Sequence, residues 1–115
     1  MQATIYHNPR CSNSRGALDI LREAGVELQI VEYLDNPPDV ATLQRLLAEM
    51  QIPARALLRE KEAAYAELGL ADAKWSEAEL IACMVAHPAL INRPIVVTAK
   101  GVRLCRPPEV VREIL

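Results

Sequence analysis

The chemistry open to this chain is concentrated around one sulfur and a scatter of guanidinium groups. Cys11 lies in His7-Asn8-Pro9-Arg10-Cys11-Ser12-Asn13-Ser14-Arg15, directly after the β-type run Ala3-Thr4-Ile5-Tyr6 and just where a helix should begin. A helix start presents unpaired backbone N–H groups and the positive end of a dipole, and Arg10 and Arg15 add formal charge beside the sulfur. A free cysteine titrating near pH 8.5 is only about 3% thiolate at pH 7, and lowering its pKa by two units, about 2.7 kcal/mol, makes it mostly nucleophilic. Arg10, Ser12, Asn13 and Ser14 suit a loop and helix start better than a core, which favours a reactive Cys11 over an inert, buried one. Cys83 and Cys105 lack such surroundings and read as structural.

Spacing narrows the reaction. A cysteine-phosphatase loop needs an arginine six residues beyond the sulfur, where Ala17 stands, and a dithiol oxidoreductase needs a second cysteine where Ser14 stands. What remains is a single-thiol C-x-x-S site, whose serine hydroxyl can donate to the thiolate or to an anion held above it. Arg93 and Arg106 each precede a proline, which disfavours helix at the arginine and lets both project from extended or turning backbone toward one site. Arg59, after Arg55-Ala56-Leu57-Leu58, is the third candidate. Taken singly, each arginine reads as a solvated charge; together, guanidinium forks suit a tetrahedral oxyanion because they bind its oxygens bidentately. His7, four residues before the sulfur, either tunes the thiolate or satisfies a strand-end hydrogen bond. The two histidines and three cysteines show no metal-ligand spacing, so no metal is expected.

The elements that must hold these groups follow from apolar periodicity. Residues 2–7 read as a buried strand, 14–24 as a helix ended by Gly25, and 28–33 as a second strand, a compact β-α-β unit with parallel pairing. Pro37-Pro38-Asp39 opens a helix with Val40, Leu43, Leu46, Leu47 and Met50 on one face. Residues 54–87 read as all-helical, with one helix over 59–68 and a second opened by the capping box Ser76-Glu77-Ala78-Glu79. Runs at 95–98 and 102–105 flank the three-residue hairpin signal Ala99-Lys100-Gly101, and a short helix follows Pro107-Pro108. The order predicts an α/β fold: a thioredoxin-like, four-stranded mixed sheet flanked by helices, with an all-helical insertion at about 38–88 between β-α-β and β-β-α halves of a single domain, 1–115.

Composition excludes other classes. A net charge of −2 and only Tyr6, Tyr33, Tyr65 and Trp75 as aromatics leave neither a basic stripe nor base-stacking rings, so no nucleic-acid ligand is expected. Three widely spaced cysteines without CxxC suggest a reducing compartment, and no signal-peptide pattern or membrane span is read, so the expectation is a cytoplasmic monomer.

The sequence resembles the glutaredoxin-dependent arsenate reductases of bacteria over nearly its whole length. The resemblance runs through Tyr6-His7-Asn8-Pro9, Cys11, Ser14-Arg15, Tyr33-Leu34-x-Asn36-Pro37-Pro38, Arg55-Ala56-Leu57-Leu58-Arg59 and His87-Pro88. It continues through Leu90-Ile91-Asn92-Arg93-Pro94-Ile95-Val96-Val97-Thr98 and Arg103-Leu104-Cys105-Arg106-Pro107. It implies that Cys11 attacks arsenate while Arg59, Arg93 and Arg106 hold the oxyanion and its arsenite product, with His7, Ser14, Arg15 and Pro94 in support and a cis bond before Pro94. It further implies no bound cofactor, glutathione as co-substrate, and glutaredoxin to resolve a Cys11–glutathione mixed disulfide, consistent with a protein that has no resolving cysteine of its own. Ser12-Asn13 departs from the Gly-Thr pair often found there, and the sequence ends at Leu115 without the charged tail many members carry. Related branches keep two alternatives open: a redox-sensing regulator or adaptor without arsenate activity, and a glutathione-dependent thiol/disulfide reductase. Ser14 argues against the CxxC switch of the polymerase-binding branch.

Overall fold

A computed structural model describes residues 1–115, in two compact units: Met1–Asn36 with Arg93–Leu115, and Pro37–Asn92. In the first unit, β1 (Gln2–His7) buries Ala3, Ile5 and His7 in strict alternation, as a strand with one face on a core must. It pairs in parallel with β2 (Glu27–Glu32) through the helix α1 (Ser12–Glu23), and antiparallel with β3 (Ile95–Thr98), which pairs with β4 (Gly101–Leu104). The sheet order is β2-β1-β3-β4. Ala17, Leu18 and Leu21 of α1 pack with Ala3, Ile5, Val96, Cys105, Val111 and Ile114 into one apolar core. This is the expected mixed α/β sheet.

Local details depart from the sequence reading. Helix α1 begins at Ser12, two residues earlier than expected, because Cys11 itself takes extended geometry and its carbonyl accepts the Arg15 N–H at 3.0 Å. Its far end closes as expected, with Gly25 at φ 71, a conformation glycine reaches without a Cβ penalty. The hairpin loop is two residues, not three, since Gly101 pairs with Thr98. The final helix is a tight 3₁₀ segment, Pro108–Ile114, burying Val111 and Ile114.

In the second unit, α2 (Val40–Met50) is capped by Asp39, whose carboxylate accepts the Thr42 N–H at 2.8 Å, and α5 (Glu77–Ala86) carries the expected Ser76/Glu79 capping box. The helix expected over 59–68 is shortened to α4 (Ala63–Glu67), and a separate one-turn helix, α3 (Ala54–Leu57), precedes it; between them Leu58 leaves helical geometry to bridge Ile91 and Arg59 donates its N–H to the Leu90 carbonyl at 2.8 Å. The start of α3 is held from outside: both carboxylate oxygens of Glu77 accept the Ala54 N–H, at 2.9 and 2.7 Å. A 3₁₀ turn, Pro88–Leu90, completes the unit.

Candidate active site

Strand register brings the site together. The β1–β3 pairing ends at Tyr6 opposite Ile95, and β3–β4 at Ile95 opposite Leu104, so the Arg93-Pro94 and Cys105-Arg106 segments run on past the sheet end at which α1 begins. The approach to α1 is a turn in which the Cys11 N–H donates to the Asn8 carbonyl at 3.0 Å and the Asn8 side chain accepts the Arg10 N–H, also at 3.0 Å. Asn-Pro favours such a turn because the asparagine side chain can bond its own backbone two residues on. The Arg15 guanidinium pins the turn through the Pro9 carbonyl at 2.9 Å. Arg15 therefore acts on the loop.

At the N-cap of α1 Cys11 is buried, with 8% of the residue exposed, yet its thiol pKa lies below the ordinary value. Burial opposes the thiolate; the Ser14 N–H, the Arg93 charge, the Asn13 N–H and the Arg106 guanidinium together outweigh that cost. Arg106 Nη1 approaches the sulfur at 3.9 Å and is aimed there by the Arg93 carbonyl, which accepts from the same nitrogen at 3.0 Å. The expected cis bond before Pro94 is present, and a second, before Pro107, was not foreseen.

Ser14 departs from the sequence reading. Its hydroxyl oxygen is 2.6 Å from His7 Nδ1 and accepts the Asn8 N–H at 3.0 Å, so the side chain serves the strand end while its backbone N–H serves the sulfur. Burial holds His7 below its ordinary pKa, opposed by Glu32 and reinforced by Arg22 and Arg15. Which of His7 Nδ1 and the Ser14 hydroxyl donates follows the tautomer of the ring. Cys105 is fully buried and its thiol is pushed up to about 12, chiefly by desolvation, in line with a structural role. Arg59 belongs to the helical unit, where Nη1 lies 3.2 Å from Glu62 Oε2. No three His, Cys, Asp or Glu side chains are grouped to hold a metal, and no helix is long and apolar enough to cross a membrane. Sequence reasoning missed Asn8 and the backbone N–H of Asn13; the Asn-Pro pair was the available signal for the first.

The β2-β1-β3-β4 order, with Cys11 at the first strand–helix junction, defines a thioredoxin-like domain. The chain belongs to the ArsC family, whose model matches residues 6–114. It is 54% identical over 112 residues to an arsenate reductase of Escherichia coli, covering 97% of this chain and 79% of that protein. It is also 52% identical over 115 residues to the uncharacterized protein YfgD of Escherichia coli K12, covering 97% of that protein. Among solved structures it is similar to an arsenate reductase from Vibrio cholerae, with a TM-score of 0.96 and 46% identity, covering 100% of this chain and 98% of that one.

Proposed function

We propose that this protein reduces arsenate to arsenite with Cys11 as its single catalytic thiol. The observation that carries the reading is the Cys11 sulfur at the start of α1, favoured as thiolate by the Ser14 and Asn13 N–H groups with Arg106 Nη1 at 3.9 Å. An anion arriving there meets the same donors that favour the thiolate, and the family and the relatives named arsenate reductase support arsenate as that anion.

The chemistry balances with one outside thiol. The Cys11 thiolate attacks arsenic and a hydroxyl leaves as water, giving an As(V)–S ester. A glutathione thiolate then attacks the Cys11 sulfur and the As–S electron pair passes to arsenic, releasing arsenite and leaving a Cys11–glutathione disulfide. Arsenic gains two electrons, one from each sulfur. A glutaredoxin thiolate takes the glutathione and returns Cys11 as thiolate. Arg93 and Arg106 steady the oxyanion and the charge developing on it. The assignment of Arg59 to the same oxyanion rests on the resemblance alone.

Turnover of arsenate with glutathione, glutaredoxin and an NADPH-coupled reductase tests this. Arsenate-dependent NADPH oxidation that Cys11→Ser abolishes is expected. Its absence, or full activity in Cys11→Ser, would overturn the reading.

A further inference from the structure

One peptide group beside the sulfur is held at both of its ends by side chains. The turn from Asn8 to Cys11 closes with the Cys11 N–H on the Asn8 carbonyl at 3.0 Å, and the Pro9–Arg10 peptide is its central unit. The carbonyl of that unit accepts Arg15 Nη1 at 2.9 Å, and its N–H donates to Asn8 Oδ1 at 3.0 Å. Turn types differ in the dihedrals on either side of the central peptide, and proline fixes its own φ, so the tilt of this one plane is the soft coordinate of the turn. The two side-chain bonds oppose that tilt from opposite edges of the plane. Cys11 follows directly, in extended geometry at the N-cap of α1, and its carbonyl accepts the Arg15 N–H at 3.0 Å. Arg15 thus bonds the chain on both sides of Cys11, with its guanidinium before the residue and its backbone after it.

We propose that Asn8 and Arg15 clamp the Pro9–Arg10 peptide and thereby hold the Cys11 sulfur against its donors, Arg15 acting through the Pro9 carbonyl and not through its charge. The proposal rests on the reading of Cys11 as the reactive thiol. The chief groups favouring the thiolate are the Ser14 and Asn13 N–H groups, Arg93 and Arg106, and the hydrogen bonds among them weaken steeply once the sulfur is misplaced. The Asn8 and Arg15 side chains are spent on the peptide plane, so both are positioning residues. Because they hold the same plane, cutting either bond frees it and cutting both adds little. The two losses are therefore less than additive.

The test compares wild type with Asn8→Ala, Arg15→Ala and the double variant. The readouts are the pH inflection of Cys11 alkylation by iodoacetamide, at low salt and at about 0.5 M NaCl, and arsenate kinetics. Asn8 is half-buried and Arg15 exposed, so the variants should fold, and urea midpoints check that they do. Each alanine variant is expected to raise the inflection and to lower kcat/KM about three- to tenfold, and the double variant to match the worse single one. The rise should persist at high salt, since what is lost is a hydrogen bond to a carbonyl and not a screened charge. A rise that salt abolishes would assign the effect to the Arg15 charge and overturn the clamp, as would fully additive losses. A low wild-type inflection left unchanged by both single variants would overturn the clamp alone, with the reactive thiol standing. A wild-type inflection at the ordinary thiol value would overturn both. The expected alkylation pattern without any arsenate turnover would leave the clamp in place and sink the reductase reading.

Discussion

The Ser14 hydroxyl is turned onto His7 Nδ1 at 2.6 Å, inside the protein, and not onto the sulfur three residues before it in the chain. One residue thus divides its work between a side chain that ties α1 to the end of β1 and a backbone N–H that favours the Cys11 thiolate. The two roles separate under mutation.

Ser14→Ala removes the partner of a buried imidazole nitrogen and of the Asn8 N–H while keeping its own backbone N–H. It should cost about 1–3 kcal/mol of stability, from the buried polar groups left unmade. The inflection of Cys11 alkylation against pH should barely move. Urea unfolding and alkylation kinetics on the same variant check the pair of outcomes; a large rise in the inflection would mean that the hydroxyl, too, reaches the sulfur.

Cys11 should alkylate with an inflection below the ordinary value near pH 8.5. Arg106→Ala removes one of the four contributions that overcome the desolvation of the sulfur, so the inflection should rise without reaching that of a cysteine in an unfolded peptide. Iodoacetamide rates from pH 5 to 10 decide it. An inflection unchanged by Arg106→Ala would show that the 3.9 Å approach carries no electrostatic weight.

Cys105, at about 12, is raised above the unfolded thiol, so its contribution to stability is complete below about pH 8.5 and is lost as pH rises toward 12. The folded protein should leave Cys105 unmodified at pH 8, and wild type should lose more stability than Cys105→Ala between pH 8.5 and 11. Mass spectrometry of natively alkylated protein and urea midpoints against pH test the two parts. Native labelling of Cys105 at pH 8 would contradict its burial.

Gly16→Ala places a Cβ 2.9 Å from Pro108 Cγ and 3.2 Å from Pro108 Cβ, at the contact between α1 and the closing 3₁₀ segment. Helix propensity favours alanine by about 1 kcal/mol, while forcing an atom against a stiff ring costs about 1–3 kcal/mol. The steric cost should win, lowering the melting temperature by several degrees, with Pro108→Ala in the same chain recovering part of the loss. A rise in melting temperature on Gly16→Ala alone would show that the two elements separate freely.

What was legible from the sequence was local. The Ser76/Glu79 box, the helix start after Pro37-Pro38-Asp39 and the Gly25 termination each depend on backbone within three or four residues, and each formed as read. Strand ends came within one residue because period-2 burial runs out where the strand does. The helix expected over 59–68 formed only at Ala63–Glu67, and its late start has a cause no window of sequence contains: the Arg59 N–H goes to the Leu90 carbonyl beside the Leu58–Ile91 bridge, far along the chain. The glycine that shortened the hairpin loop was visible, but its pairing with Thr98 depended on strand register.

The sequence by itself determined that a lone thiol stands at a strand-to-helix junction, with serine where a resolving cysteine would be and no metal-ligand spacing. These are matters of residue type and short spacing. Only the tertiary structure decided which charges reach that thiol. Arg106, 95 residues from Cys11, arrives because β3 runs antiparallel to β1 and β4 to β3, and because the Arg93 carbonyl then holds its guanidinium. Register and chain closure are properties of the assembled sheet, and so is the turning of Ser14 toward His7, where a buried imidazole nitrogen takes a hydrogen-bond partner.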